Sequence, residues 1–183
     1  MSANRTRFII TVLFILCLVP STVSSQIQSN FWGLEIGYST KNDVKSFLVR
    51  NGWEYEQNMG GMDAIGIFNK VSIGGYLWSP SFRFYNNQIC EIQLLITHIG
   101  MNTNGEFTDE SGNNTFIFYD LKTRLKEKYS NVENIVDPHD PAHLFILRDD
   151  KSILMLELTD DKDVVLTYSD KRLLRLEQSG SDL

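Results

Sequence analysis

The residues with the most scope for chemistry form one short run, Asp137-Pro138-His139-Asp140-Pro141-Ala142-His143, which places two histidines and two carboxylates within seven residues. Imidazole and carboxylate together suit zinc or another divalent first-row metal, so Asp137, His139 and His143 are the candidate metal ligands. The competing reading is an extended loop. Proline on both sides keeps His139 and His143 off any shared helical face, and Asp-Pro pairs are common turn starters. His98 ends an apolar strand face and reads as a rim residue. Calcium would be sought in the oxygen-rich stretches 102–113 (Asn102, Asn104, Glu106, Asp109, Glu110) and Asp160 to Asp163. An EF-hand wants glycine at its sixth position and an acid at its twelfth. The first stretch has Gly105 at the fourth and Asn113 at the twelfth, so both stretches read as solvated loops.

Catalytic signatures are missing from the sequence. It contains no Gly-x-Ser-x-Gly elbow, His-Glu-x-x-His helix, Walker loop or dinucleotide fingerprint, and no motif implies a cofactor. A carboxylate pair for glycoside hydrolysis could be drawn from 23 acids, yet nothing selects two of them. The aromatic residues Trp32, Trp53, Tyr55, Tyr76 and Trp78 are numerous for this length and are the candidate binding residues, because exposed aromatics serve protein or sugar recognition. The alternative is that they fill a core. The basic stretch Lys122 to Lys128 includes Glu127 and reads as the solvated face of a helix. Asn113-Asn114-Thr115 fits a glycosylation sequon, which matters only in a eukaryotic host.

The first 25 residues stand apart. Arg5 and Arg7 precede an apolar run from Phe8 to Val19, Pro20 interrupts it, and Val23 and Ser25 suit a signal peptidase cutting before Gln26. Twelve helical residues span about 18 Å, short of the about 30 Å of a bilayer core, so the segment reads as a cleaved signal rather than an anchor. Cys17 follows Leu16, where lipid attachment wants a small residue. The expected product is exported, periplasmic or extracellular, with no transmembrane anchor in the mature chain. Cleavage leaves 158 of 183 residues, with 15 basic and 23 acidic groups and a net charge of about −8. That balance argues against nucleic-acid binding, which draws its affinity from Lys and Arg. Cys90 remains as a lone thiol. It alternates with Ile92, Leu94 and Ile96 on one strand face, so shielding is expected.

The elements that must position these groups are legible in part. Residues 31–37 form an apolar opening segment. Thr40 is a good N-cap with Asp43 three residues on, Val44, Phe47 and Leu48 fall at helical spacing, and Gly52 suits the C′ position, so a helix is predicted over about 41–51. Strands are predicted at 53–56, 64–73, 76–85 and 88–99, with Gly74-Gly75 and Asn86-Asn87 as turns and Pro80 restricted to a strand start, edge or bulge. A second helix is predicted over 115–129, followed by strands at 144–148, 152–159 and 164–168. Residues 171–177 fit either a short helix or an edge strand. The order helix-then-meander occurs twice, and Asp43-Val44-Lys45-Ser46-Phe47-Leu48 matches Asp120-Leu121-Lys122-Thr123-Arg124-Leu125 at an offset of 77.

Phe31-Trp32-Gly33-Leu34-Glu35-Ile36-Gly37, running into Ser39-Thr40-Lys41-Asn42-Asp43-Val44 and Leu48, resembles the opening of small exported bacterial proteins. In outline the chain is similar to helix-then-meander modules of the β-lactamase-inhibitory-protein type and to the small lipoprotein of the outer-membrane β-barrel assembly machine. Those modules are non-catalytic, so the resemblance implies a role in binding other proteins.

The resulting expectation is a signal peptide over 1–25 and a single α+β domain over 26–183. In it two helices pack on antiparallel sheet, with room for a tandem repeat over 31–99 and 113–177. The expected function is non-enzymatic binding of another protein or an envelope component. A hydrolase of an extracellular polymer and a small-ligand carrier are the alternatives.

Overall fold

Three reversals in the first half of the chain are made by residue pairs at positive φ. Asn86-Asn87 (φ 47° and 65°) joins the two longest strands, Gly74-Gly75 (63° and 89°) joins the strand pair before it, and Trp32-Gly33 (55° and 82°) closes the opening segment. Two consecutive positive φ values match the right-handed twist of paired strands. Asn tolerates them, whereas a tryptophan there is strained and must be held by its surroundings. The computed structural model describes residues 26–97, 99–101, 107–109, 113–135 and 142–180.

The opening segment, expected only to be apolar, is a small hairpin of β1 (Asn30–Phe31) and β2 (Leu34–Glu35). Helix α1 (Lys41–Arg50) begins at Thr40, whose hydroxyl accepts from the Asp43 N–H while the Asp43 carboxylate accepts from the Thr40 N–H. Thr40 is the N-cap the sequence predicts; the return bond from Asp43 makes the cap reciprocal, worth about 1 kcal/mol. The helix stops in a Schellman turn: Gly52 N–H donates to Val49 O (3.1 Å) and Trp53 N–H to Leu48 O (2.9 Å), with Gly52 at φ +65°.

Strands β3 (Tyr55–Gln57), β4 (Ala64–Ile67), β5 (Val71–Ile73), β6 (Tyr76–Tyr85) and β7 (Gln88–Ile96) follow, with a 3-10 turn at Met59–Gly61. A small β8 (Ile99–Met101) and β9 (Phe107–Asp109) pair with each other. After α2 (Asn113–Lys128) come β10 (Glu133–Ile135), β11 (Leu144–Arg148), β12 (Ser152–Leu158), β13 (Val164–Asp170) and α3 (Lys171–Gly180). The main sheet is antiparallel, in the order β3-β4-β6-β7-β13-β12-β11-β10, with β5 added on β6.

Two expectations need correction. The single strand predicted over 64–73 is broken into β4 and β5: β4 pairs with β6 up to Gly66↔Ser81, and β5 resumes at Val71↔Trp78. Pro80 lies in the gap and has no N–H to offer that neighbour, so the partner strand lets go there. Three helices are described, not two. Residues 171–180, which fitted either a helix or an edge strand, follow β13, both of whose sides are already paired, by β7 and β12. The chain leaves it as a helix, capped by the Asp170 carboxylate accepting from the Leu173 N–H at 2.8 Å.

Residues directly opposite in antiparallel strands share a face, so the register sorts the sheet into two sides. Phe82, Ile92, Tyr168, Leu154 and Leu147 form one continuous row, and Pro80, Leu94, Leu166, Leu156 and Phe145 the next. All ten are buried. All but Pro80 share their cluster with Val44 and Leu48 of α1 and with Ile117, Phe118, Leu121 and Leu125 of α2. This is the core, and α1 and α2 cover it.

Candidate functional site

Most of the aromatic residues singled out by composition are packed on the helix side. Trp78 is 1% exposed and donates its indole N–H to Ile73 O at 3.0 Å. Trp32 and Trp53 come together with Phe47 of α1: Trp32 stacks on Phe47 with centroids 6.4 Å apart and meets Trp53 edge-on at 5.9 Å. These contacts, with Phe82 at 6.3 Å, are what hold Trp32 in its left-handed conformation. Tyr55 is partly buried against the same core. Tyr76 lies apart from them, its hydroxyl donating to Asp120 of α2 at 2.8 Å. Burial, then that bond, raises its phenol above the ordinary range. The five residues thus split into packing groups and share no groove wall in the two depressions described below.

The basic residues of α2 are similarly occupied. Arg124 pairs with Asp120 at 2.9 Å, and the charged ends of Lys122, Lys126 and Lys128 sit 5.0–5.7 Å from the rings of Phe118, Phe145 and Tyr129. Of the proposed metal ligands, only His143 is among the described residues; Asp137 and His139 lie outside them. Among the described residues no three His, Cys, Asp or Glu side chains gather closely enough to hold a metal ion. Cys90 is buried, as its strand pattern predicts. It is also the additional residue of a β-bulge, since Arg83 faces Glu91 while Phe84 faces Ile89. Burial pushes its thiol up to about 12, outweighing the pull of Arg83, so the thiolate that reactive cysteines need is not available.

The other side of the sheet is different. There the rows read Ser81, Gln93, Thr167, Met155, Ile146 and Ser79, Leu95, Val165, Glu157, Leu144. Except on the central strand β13, these residues are only partly buried. Helix α3 covers one end. Arg83 reaches Glu177 of α3 at 2.6 Å and Glu91 of β7 at 3.1 Å, and Tyr85 donates to Leu176 O at 3.1 Å. Beyond α3 the strand break at Pro80 leaves a groove of about 130 Å³, walled by Met59, Phe68 and Leu95 and lined at its polar end by Glu56, Ser81 and Gln93. Gly66 makes the wall possible, since a Cβ there would stand 1.9 Å from the Met59 sulfur. Phe68 is 63% exposed. In the middle of this face Thr167 is 3% exposed, and its hydroxyl has no hydrogen-bond partner among the described residues. Sequence reasoning missed this groove; its available signal was Pro80 inside an otherwise regular strand pattern.

A larger cleft, about 350 Å³, lies where the N-terminal segment, the β11–β12 turn and α3 meet, and is lined by Gln26, Tyr38, Asp150, Lys151 and Arg175 among others. Its most enclosed carboxylates have structural tasks. Asp149 accepts from the N–H groups of Ile27 (2.7 Å), Lys151 (2.9 Å) and Ser152 (2.7 Å), and Asp170 caps α3. A Cβ on Gly37 would fall 2.3 Å from an Asp170 oxygen, and Gly37 has φ +87°. This corner joins the first described residues to α3.

The fold and these surfaces define an α+β module with one sheet face covered by α1 and α2 and one that, among the described residues, is covered by a helix only at the α3 end. No protein-family model matches the chain, and no curated protein or solved structure is significantly similar to it.

Proposed function

We propose that this chain is an exported, non-enzymatic binding protein that seats another protein or an envelope component on the uncovered face of its sheet. The observation that supports this most is the contrast between the rows: ten buried residues under α1 and α2, against partly exposed Leu144, Ile146, Met155 and Leu95 on the reverse. An apolar surface of this kind, interrupted by Ser, Gln and Glu, is typical of an interaction site. The groove's size favours a macromolecule over a small ligand. Small-molecule pockets run to about 300–1,000 Å³, whereas about 130 Å³ suits one anchoring side chain of a larger partner. Export is supported by the Arg5/Arg7 and apolar pattern, and by Ile27, the second residue after the proposed cut, being already fixed to Asp149. No helix among the described residues is long and apolar enough to cross a membrane.

The test is capture from cell-envelope extract by the immobilised mature chain, beside Leu95→Arg and Phe68→Ser variants with unchanged unfolding midpoints. A discrete partner held by the parent and lost by both variants is expected. Turnover in a broad hydrolase screen with no captured partner would contradict the reading.

The repeated element order also favours an internal duplication over 31–99 and 113–177. The sheet halves β3-β4-β6-β7 and β10-β11-β12-β13 run inward to meet at β7 and β13, and the offset pairs Val44/Leu121 and Leu48/Leu125 are all buried. The matched acids do different work, Asp43 capping α1 and Asp120 pairing within α2. Superposing the two halves is the direct check.

A further inference from the structure

Gln26 occupies a chemically special position if the chain is cut where the signal pattern places the cut, and the inference rests on that export reading. From Ile27 onward the backbone is held. The Ile27 N–H donates to Asp149, its side chain is 3% exposed within the core, and the Gln28 N–H donates to the Tyr129 hydroxyl at 3.2 Å. Gln26 itself is exposed at the rim of the α3 cleft, and its side-chain amide makes no hydrogen bond among the described residues. A cut beyond Ile27 would remove the tie to Asp149, and a cut just before it would turn the amide N–H that makes the tie into a chain-terminal amine.

We propose that the mature N-terminus is a modification site at which Gln26 closes to a pyroglutamyl residue. Freed by cleavage, its α-amine attacks its own Cδ. A C–N bond forms to give a five-membered lactam, the Cδ–Nε2 bond breaks, and one ammonia leaves; no oxidant or co-reactant is consumed. The anchored Ile27 does not hinder closure, because the reacting atoms all belong to Gln26, whose side chain is free to fold back. The product has lost the positive charge of its terminus and presents no free amine to an aminopeptidase.

The experiment is intact-mass measurement of the full-length chain expressed with its own leader in an exporting bacterial host, with tandem mass spectrometry of the N-terminal peptide and a Gln26→Ala variant in parallel. Residues 26–183 lighter by one ammonia, the loss localised to residue 26 and missing from the variant, is the expected result. Residues 26–183 at full mass after prolonged incubation would overturn the modification while leaving export intact. An uncut chain, or one cut elsewhere, would overturn the export reading and the modification with it.

Discussion

The two faces of one sheet are built from the same two-residue alternation yet end with opposite character. On the helix side, Phe82, Ile92, Tyr168, Leu154 and Leu147 continue an apolar row across five strands. On the reverse, one residue along each strand, the row becomes Ser81, Gln93, Thr167, Met155 and Ile146. The first stabilises the fold and has no solvent to show a partner. The second keeps enough apolar surface to bind and enough polar surface to stay in water. Alternation alone does not assign a side; α1 and α2 do, by covering one face and, among the described residues, leaving the other to α3 at a single end.

The largest expected effect tests this contrast directly. Leu154→Ala or Ile92→Ala removes a fully buried side chain and should cost about 2–5 kcal/mol, while Leu95→Ala on the reverse should cost about 1 kcal/mol or less; denaturant unfolding of the three variants reads the difference. Similar losses would mean that the second face is also core. Next in size is the α3 clamp. Arg83→Met leaves Glu91 and Glu177 without their shared cation, and the partly buried geometry places the loss at about 1–2 kcal/mol, between exposed and buried pairs. Hydrogen exchange should quicken about tenfold in α3 and little in β12; a uniform change would show that α3 is not a separately held cover.

Thr167→Val sharpens the same comparison in the opposite direction. The hydroxyl is buried without a hydrogen-bond partner among the described residues, so its replacement by a methyl of similar shape should raise stability by about 1 kcal/mol. A loss would show that the hydroxyl is in use. The smallest effect concerns the α1 cap. Hydrogen bonds from the Thr40 backbone and then its hydroxyl hold the Asp43 carboxyl below its usual range. A depressed folded-state pKa contributes stability above the unfolded value of about 3.9 that fades as pH falls through the folded value. Below about pH 4 the parent should therefore lose this increment, and Asp43→Asn should show a flatter acid limb in thermal melts.

Much of the construction was legible where local chemistry decides it. Thr40 with Asp43, Gly52, Asn86-Asn87 and Gly74-Gly75 act through backbone geometry that one residue type satisfies and others do not. What was not legible depended on partners distant in sequence. The break at Phe68 to Lys70 is set by Pro80 on the facing strand. The helical state of 171–180 follows from β13 being central and from Arg83 receiving Glu177. The five aromatics were visible as a count, but the face each occupies is fixed by register. Trp32 illustrates the limit: nothing local favours tryptophan at φ 55°, and only Phe47, Trp53 and Phe82 explain it.

The most direct test of the account is site-specific photo-crosslinking in envelope extract, with p-benzoylphenylalanine at position 95 or 155 on the uncovered face and at position 45 or 127 on the helices. An adduct of the same discrete mass from 95 and 155, missing from 45 and 127, is the predicted result. Adducts confined to the helix positions would contradict it and move the binding surface to the other side of the molecule.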